Sequence, residues 1–384
     1  MMRAHSADLG PSEISFQQRL MQISWSLLLL IVLVACVGFA MLYSAANGDW
    51  DPWASRQAVR FGIGMAVLFV VAMVDIRIWL RYAYVIYAVG LVLLVGVEVT
   101  GFVGMGAQRW IDLGFFQLQP SEVMKIALVL ALARYFHSVS LEDVVRPSRL
   151  IVPLLLVLAP VLLVLKQPDL GTAVMLLVGG GVLFYLAGVR LWKFLAVGCL
   201  GLAALPIAWN MLHSYQKQRI LTFLDPERDP LGAGYHIIQS KIAMGSGGLM
   251  GKGFLKGTQS HLNFLPEKQT DFVFTMLTEE LGLIGGVVLL ALYALLMLYG
   301  LFIAVRSRNQ FGRLLAMGVT TTFSLYVFIN VAMVMGVIPV VGVPLPLISY
   351  GGTAMMTVMI AFGLLMNVYV HRDVRIGRRW IEPG

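Results

Sequence analysis

The chain has 384 residues, of which 59% are hydrophobic and only 12% are charged, and its mean hydropathy is +0.83. A soluble domain carries about 25% charged residues, so this composition excludes a water-soluble fold and favours a bilayer as the solvent. The net charge of +8 does not point to nucleic acid, because the Lys and Arg residues of a membrane protein collect in its cytoplasmic loops. We expect no nucleic-acid partner.

A helix needs about 20 mostly apolar residues to cross the hydrocarbon core of a bilayer. Ten such runs lie along the chain, near 25–45, 58–74, 79–99, 121–137, 149–166, 170–188, 191–212, 272–305, 314–337 and 346–370. We therefore predict an all-α polytopic membrane protein of about ten transmembrane helices, folded as a single domain over residues 1–384.

The distribution of positive charge predicts the topology, because loops rich in Lys and Arg stay on the cytoplasmic side. Alternate loops between the spans contain Arg77 and Arg81, Arg146 and Arg149, Arg190 and Lys193, and Arg306, Arg308 and Arg313. The short loops on the opposite side contain only Arg56, Arg109 and Lys166. Both termini are therefore predicted to be cytoplasmic.

One extracytoplasmic loop, residues 213–271 between the seventh and eighth spans, is far longer than a connection requires. Loops longer than about 15 residues are usually functional or disordered. Within it, Tyr235–Met244 mixes apolar and polar residues at helical spacing, which is typical of a short helix lying in the membrane interface. The loop histidines His213, His236 and His261 lack the spacing of zinc ligands, so we expect no zinc site.

Ionisable residues at membrane depth are costly and usually functional, and two clusters of them stand at predicted outer ends of spans. Glu122 and Lys125 are three residues apart on one helical face, where they can pair, either as a purely structural ion pair or as part of a site. Asp169 lies in a tight outer turn. It is either only the N-cap of the sixth span or a side chain that faces the outer compartment.

A third cluster leads into the eighth span. If that helix continues outward, Asp271, Thr275, Thr278 and Glu279 form one polar stripe on an otherwise apolar helix. Polar groups within a membrane should face a cavity or other helices, not lipid, so we predict that the stripe faces a cavity or other helices. The alternative is a capping Asp271 and a solvated Glu279.

A fourth cluster, residues 339–352, contains three prolines and three glycines, which preclude a regular helix. Irregular backbone at membrane depth is tolerated where it lines a cavity or is buried in protein. Ser349, Tyr350 and the amides of Gly351 and Gly352 would offer donors where the tenth span begins, and a helix start favours anions. The alternative is a kinked hairpin with an architectural role only.

Further motifs narrow the chemistry. The chain has no P-loop, dinucleotide fingerprint, HExxH or CxxC motif, which argues against ATP hydrolysis and redox chemistry. Five stretches resemble, in this order, motifs of the shape, elongation, division and sporulation (SEDS) family: Gln119–Glu122, Gln167–Thr172, Phe264–Phe272, Glu279–Gly282 and Pro344–Gly352. Nearly the whole chain takes part in the resemblance, and Lys252–Pro266 is similar to the elongation branch.

The resemblance implies a multi-pass protein of the bacterial inner membrane that polymerises peptidoglycan glycan strands from lipid II in cell elongation and rod-shape maintenance. It also implies a partner, a class B penicillin-binding protein transpeptidase of the elongation complex. Asp271 matches the family's essential aspartate, and Glu122, Lys125 and Asp169 match cavity residues.

The implied reaction turns an α-linked donor sugar on a polyprenyl diphosphate into a β-1,4 linkage, so one inverting displacement suffices. Asp271 is then the base that takes the proton from the acceptor 4-hydroxyl. The departing diphosphate needs positive charge from Lys125, Arg109, Lys268 or a bound divalent cation such as Mg²⁺ or Mn²⁺. The predicted substrate-binding residues are Glu122, Lys125, Asp169, Arg109, Lys268, Glu279 and Ser349.

Two other classes of function stay open at this point. A lipid II flippase would also use intramembrane charges and broken helices without an ATPase motif. A non-catalytic scaffold for a transpeptidase would need the helices but leaves the polar stripe unexplained. The position of Asp271 at the outer edge of the membrane, together with the long external loop, favours the enzyme.

Overall fold

A computed structural model describes residues 16–377 except 105–106, 113, 115–116, 212–216, 218–220, 224, 226–232, 263 and 266. The described part is mostly helical. Its helices are α1 (Phe16–Met21), α2 (Trp25–Ala45), α3 (Trp53–Met73), α4 (Ile76–Thr100), α5 (Pro120–Ser138), α6 (Leu141–Val144), α7 (Pro147–Lys166), α8 (Leu170–Leu186), α9 (Leu191–Met211), α10 (Ala233–Gly247), α11 (Thr258–His261), α12 (Val273–Arg306), α13 (Gln310–Val334) and α14 (Gly352–Val370).

Each of the ten predicted spans coincides with a helix of at least 17 residues, which confirms the all-α polytopic membrane fold. Seven helices of the described part are both long and apolar enough to cross a bilayer: α2, α3, α4, α7, α12, α13 and α14. Helix α8 is shorter, with 17 residues, and α5 contains Glu122, Lys125 and Arg134 among its 19 residues. The cytoplasmic placement of the termini stays a prediction, and residues 1–15 and 378–384 lie outside the described residues, as do His213 and much of 212–232.

The tenth span begins six residues later than predicted, at Gly352 instead of 346. Residues 338–351, hereafter the hairpin, have no regular helix, because Pro344 and Pro346 cannot donate the backbone hydrogen bonds of one. The amide of Leu345 donates instead to the Ser349 hydroxyl, at 2.8 Å. The predicted break in the backbone is confirmed.

A small three-stranded antiparallel sheet was not predicted. It consists of β1 (Phe102–Gly104), β2 (Ala107–Asp112) and β3 (Gln117–Leu118), in the order β1-β2-β3. Ile111 pairs with Leu118. The strands are too short to be distinguished from loop by sequence periodicity. The sheet contacts α4 and α5, and it places Arg109 beside the N-terminus of α5.

Helix α12 is kinked near its N-terminal end, where Gly282 has a φ of +69°. The segment 248–253 of the long loop supplies backbone hydrogen bonds at this kink. The amides of Lys252 and Gly253 donate to the carbonyls of Glu279 and Glu280, at 3.1 and 2.9 Å. Gly251 has a φ of +78° and lies so close to the helix that a side chain would not fit. The loop is therefore packed against the outer turns of α12.

The long loop also contains the short helix that its sequence predicts. Helix α10 covers Ala233–Gly247 and includes all of Tyr235–Met244. It packs against α12, and the Ser240 and Thr275 hydroxyls are 2.7 Å apart. Helices α13 and α14 form the centre of the bundle, where 61% and 72% of their most apolar segments are buried. The outer ends of α5, α8, α12 and α14 meet above this centre.

Candidate active site

A cavity of about 650 Å³ lies where the N-termini of α5, α8, α12 and α14 meet the hairpin. Five of the eight residues that the sequence predicts for the site line this cavity: Arg109, Glu122, Lys125, Asp169 and Asp271. Arg109 and Asp271, the first and last of these five residues in chain order, are 162 positions apart in the sequence. The fold therefore gathers most of the predicted site into one polar chamber.

Asp271 stands two residues before α12, at the edge of the cavity. Its carboxylate lies against Gly342 of the hairpin, whose φ is +69° and where a Cβ would be 3.4 Å from Oδ2. No described residue donates a hydrogen bond to this carboxylate. Burial first, and the nearby charge of Glu267 second, raise the pKa of Asp271 to about 6. At neutral pH the group is mostly ionised and is free to accept a proton.

Glu122 and Lys125 form the predicted ion pair on the first turns of α5, with Nζ and Oε1 2.7 Å apart and both side chains 4% exposed. The hydroxyl of Tyr326 donates to the other oxygen of Glu122. The Lys125 ammonium lies 4.1 Å from the centre of the Tyr326 ring. The pair is nearly neutral as a unit, and it exposes a lysine and a phenol ring to the cavity.

Asp169 is the N-cap of α8, because its carboxylate accepts hydrogen bonds from the Thr172 amide at 3.1 Å and the Thr172 hydroxyl at 2.8 Å. Asp169 also lines the cavity, so it is more than an N-cap. Arg109 reaches across from β2. Its Nε donates to the Gln167 carbonyl at 3.1 Å, and a terminal nitrogen donates to the Pro168 carbonyl.

Three predicted substrate-binding residues lie outside the cavity lining. Lys268 is buried and donates to the Ser260 carbonyl at 2.8 Å, and burial lowers the pKa of its ammonium. Ser349 donates to the Thr270 carbonyl at 2.5 Å. Glu279 is fully buried and accepts hydrogen bonds from Lys252 and from the backbone of the long loop. All three side chains therefore bond to other segments of the protein and do not face the cavity.

Of the polar stripe on α12, only Asp271 lines the cavity, and the stripe beyond it packs against the helices of the long loop. Thr275 and Glu279 face the long loop, where Thr275 contacts Ser240 and Glu279 accepts from Ser260. The reason is the close approach of the loop, which Gly247 allows because a Cβ there would clash with the α12 backbone. The sequence shows which helical face is polar but not what covers it.

Tyr350, a donor that the sequence predicts, lines the cavity too, as do three residues that it does not predict for the site: Trp110, His236 and Glu267. His236 stacks on Phe272 with ring centres 6.1 Å apart. Burial lowers the pKa of this imidazole, against the opposing effect of Glu267, and so favours its neutral form. The sequence offers one indication of Glu267, because this residue lies in the same family-like stretch, Phe264–Phe272, as Asp271.

In the described part of the chain, no three His, Cys, Asp or Glu side chains are grouped so that they could hold a metal ion. A divalent cation at the cavity would therefore need further oxygen ligands from a bound diphosphate or from water, as Mg²⁺ commonly does.

The fold and the cavity define a polytopic membrane protein with a cavity of about 650 Å³, lined by charged residues, at one end of its helix bundle. The chain belongs to the FtsW/RodA/SpoVE family of cell cycle proteins, whose family model matches residues 18–374. It is a multi-pass protein of the bacterial inner membrane. The predicted family is thereby confirmed.

Relatives of known name are similar over nearly their whole length. The chain is 46% identical to the peptidoglycan glycosyltransferase MrdB of Escherichia coli strain K12, over 90% of this chain and 94% of the relative. It is 37% identical to stage V sporulation protein E of Bacillus subtilis strain 168, over 89% of this chain and 95% of the relative.

Solved structures agree with this placement. A chain of a peptidoglycan synthase complex, described for its coordination of polymerization and crosslinking, superposes with a TM-score of 0.78 at 36% identity, covering 91% of this chain and 98% of that chain. The rod shape determining protein RodA of Thermus thermophilus superposes with a TM-score of 0.69 at 30% identity, covering 91% and 97%.

Proposed function

We propose that this protein is a peptidoglycan glycosyltransferase that polymerises glycan strands from lipid II during cell elongation. The observation that carries the proposal is a cavity that Asp271 shares with Lys125 and Arg109. Among the described residues none donates a hydrogen bond to the Asp271 carboxylate, whose pKa is about 6. A base and nearby cations are what transfer of a sugar from a lipid diphosphate requires. The 46% identity to a protein named peptidoglycan glycosyltransferase supports the same activity.

The reaction is one inverting displacement at the anomeric carbon of the donor sugar. Asp271 takes the proton from the acceptor 4-hydroxyl as the new glycosidic bond forms. The bond between the anomeric carbon and the diphosphate oxygen breaks, and its electron pair leaves with the polyprenyl diphosphate. The configuration changes from α to β. Lys125 and Arg109 stabilise the negative charge that develops on the leaving group, and a divalent cation bound with the diphosphate would add to this effect.

The size and walls of the cavity suit the polar part of such a substrate. A volume of about 650 Å³ is in the usual range of roughly 300–1,000 Å³ for ligand sites. The polyprenyl chains are apolar and stay in the bilayer, so that only sugar and diphosphate need to enter. This division explains why the polar side chains gather at the outer helix ends.

The direct test is polymerisation by the purified protein in detergent or liposomes, with lipid II as the sole substrate and glycan products resolved on gels. We expect polymer from the parent protein and none from Asp271→Asn. A flippase would move lipid II across liposomes without making polymer, and a scaffold would do neither. Absence of polymer from correctly folded parent protein, with or without a transpeptidase, would overturn the proposal.

We further propose that the partner is a class B penicillin-binding protein of the elongation complex, which crosslinks the strands made here. The similarity to a chain of a peptidoglycan synthase complex supports this partner. The rate of polymerisation should rise as the cognate transpeptidase is titrated into the assay. A rate that stays constant across the titration would contradict stimulation.

A further inference from the structure

The backbone at Asp271 is held by an asparagine that does not touch the cavity. Asn330 lies on α13 and is fully buried. Its Nδ2 donates two hydrogen bonds, to the Asp271 carbonyl at 2.9 Å and to the Val343 carbonyl at 2.7 Å. One side chain thus joins α13, the segment that precedes α12, and the hairpin.

A second contact holds the residue before Asp271. The Ser349 hydroxyl donates to the Thr270 carbonyl at 2.5 Å and accepts from the Leu345 amide at 2.8 Å. The neighbouring Tyr350 amide donates to the Gln269 carbonyl at 2.8 Å. The hairpin is therefore tied by hydrogen bonds to Gln269 and Thr270, the two residues before Asp271.

These contacts matter because no described residue holds the Asp271 carboxylate itself. A side chain without its own hydrogen bonds takes its position from its backbone and from the walls around it. One wall is Gly342, which stands next to Val343 in the hairpin. Asn330 thus fixes both the backbone of Asp271 and the wall that its carboxylate meets.

We propose that Asn330 and Ser349 are positioning residues that hold the carboxylate of Asp271 in line with the acceptor hydroxyl. The inference rests on the proposed function, in which Asp271 is the base. Asparagine suits the task because one amide nitrogen can donate to two carbonyls at once. A neutral amide also costs less to bury in a membrane bundle than an ionised side chain.

The chain offers a matched control at the opposite end of the bundle. Asn367 on α14 is also fully buried, and its Nδ2 donates to the carbonyls of Val71, Ala72 and Val74. In both asparagines the side-chain oxygen has no hydrogen-bond partner among the residues that the structure describes. Asn330 and Asn367 therefore make the same kind of contact, and only Asn330 makes it at Asp271.

The test compares Asn330→Ala, Asn330→Asp and Ser349→Ala with Asn367→Ala in lipid II polymerisation. A displacement of about 1 Å in a catalytic group can lower the rate roughly 100-fold. We expect kcat to fall about 10- to 100-fold in the first three variants. KM for lipid II should stay within about twofold of the parent value, since neither Asn330 nor Ser349 lines the cavity. Asn367→Ala should lower thermal stability and leave kcat unchanged.

A kcat equal to that of the parent in Asn330→Ala and Ser349→Ala would overturn the inference while leaving the proposed function intact. So would a raised KM at constant kcat in Ser349→Ala, which would make Ser349 a substrate-binding residue. A parent protein that makes no polymer overturns the proposed function and the inference with it. Ser349→Ala removes one hydroxyl from a non-helical segment, so it keeps the test available if the Asn330 variants do not fold.

Discussion

Asp271 and Glu279 lie eight residues apart around the start of α12, and their carboxylates differ in the hydrogen bonds that they accept. No described residue donates a hydrogen bond to the Asp271 carboxylate, which faces the cavity. Glu279 accepts from Lys252 Nζ at 2.9 Å, from the amides of Gln259 and Ser260 at 2.8 and 3.1 Å, and from the Ser260 hydroxyl at 2.8 Å. One carboxylate can take a proton from a ligand, whereas the other holds the long loop on the helix.

The contrast indicates that burial and the supply of hydrogen-bond donors together set how readily each carboxylate binds a proton. A carboxylate that accepts several hydrogen bonds is stabilised in its charged form and is a weak base. A partly buried carboxylate without donors binds a proton more readily, and the pKa of Asp271 rises to about 6 accordingly. The following variants test this contrast.

The largest effect is expected for Asp271→Asn. The amide keeps the size of the side chain but cannot take the proton, and general base catalysis is typically worth about 10²–10⁴-fold in rate. Polymer formation should be lost, while expression and thermal stability in detergent stay at least at the parental level, because the change removes a partly buried charge. Polymerisation at near the parental rate would show that another residue is the base.

Lys125→Ala should be the most damaging change for folding among the cavity variants. It leaves Glu122 buried without its cation, and removal of one partner from a buried ion pair costs about 3–5 kcal/mol. Adding Glu122→Ala should recover much of the lost thermal stability. Activity should be low in both proteins if the pair also binds the diphosphate, whereas full activity in the double variant would reduce the pair to a structural role.

Glu279→Gln should act on stability more than on chemistry. The neutral amide weakens contacts to Lys252 and to the amides of Gln259 and Ser260, and hydrogen bonds to charged groups contribute about 1.5–3 kcal/mol. We expect a lower melting temperature and a kcat far closer to the parental value than that of Asp271→Asn. If Glu279→Gln lost as much kcat as Asp271→Asn while keeping its stability, Glu279 would have a role in the reaction and not only in holding the loop.

The smallest effect concerns pH. The base must be ionised, and its pKa of about 6 means that the rate should fall as the pH drops through 6, roughly tenfold for each further unit. Glu267→Gln removes the negative charge that helps to raise this pKa, so the acidic limb should move to lower pH. Glu279→Gln is the control and should leave the limb in place. If the acidic limb of the pH–rate profile does not move in Glu267→Gln, the limb does not report the ionisation of Asp271.

Much of the site could be predicted from the sequence because those features depend on residues close together in the chain. The pairing of Glu122 and Lys125 follows from their spacing on one helical turn, and the N-cap at Asp169 follows from its place after a turn. The irregular backbone of the hairpin follows from its prolines. The same reasoning assigned Glu279, Lys268 and Ser349 to substrate binding, but none of them lines the cavity. Each bonds instead to another segment of the chain, and local sequence does not specify such contacts.

The ten apolar segments, the membrane class and the family were determined by the sequence itself, since they depend on composition, periodicity and the order of motifs. Only the tertiary structure decided which polar faces meet. The packing of the long loop covers Glu279, and the convergence of four helix ends with the hairpin leaves Asp271 at a cavity. Burial and donor supply arise from contacts between segments far apart in the chain, and no local pattern specifies them.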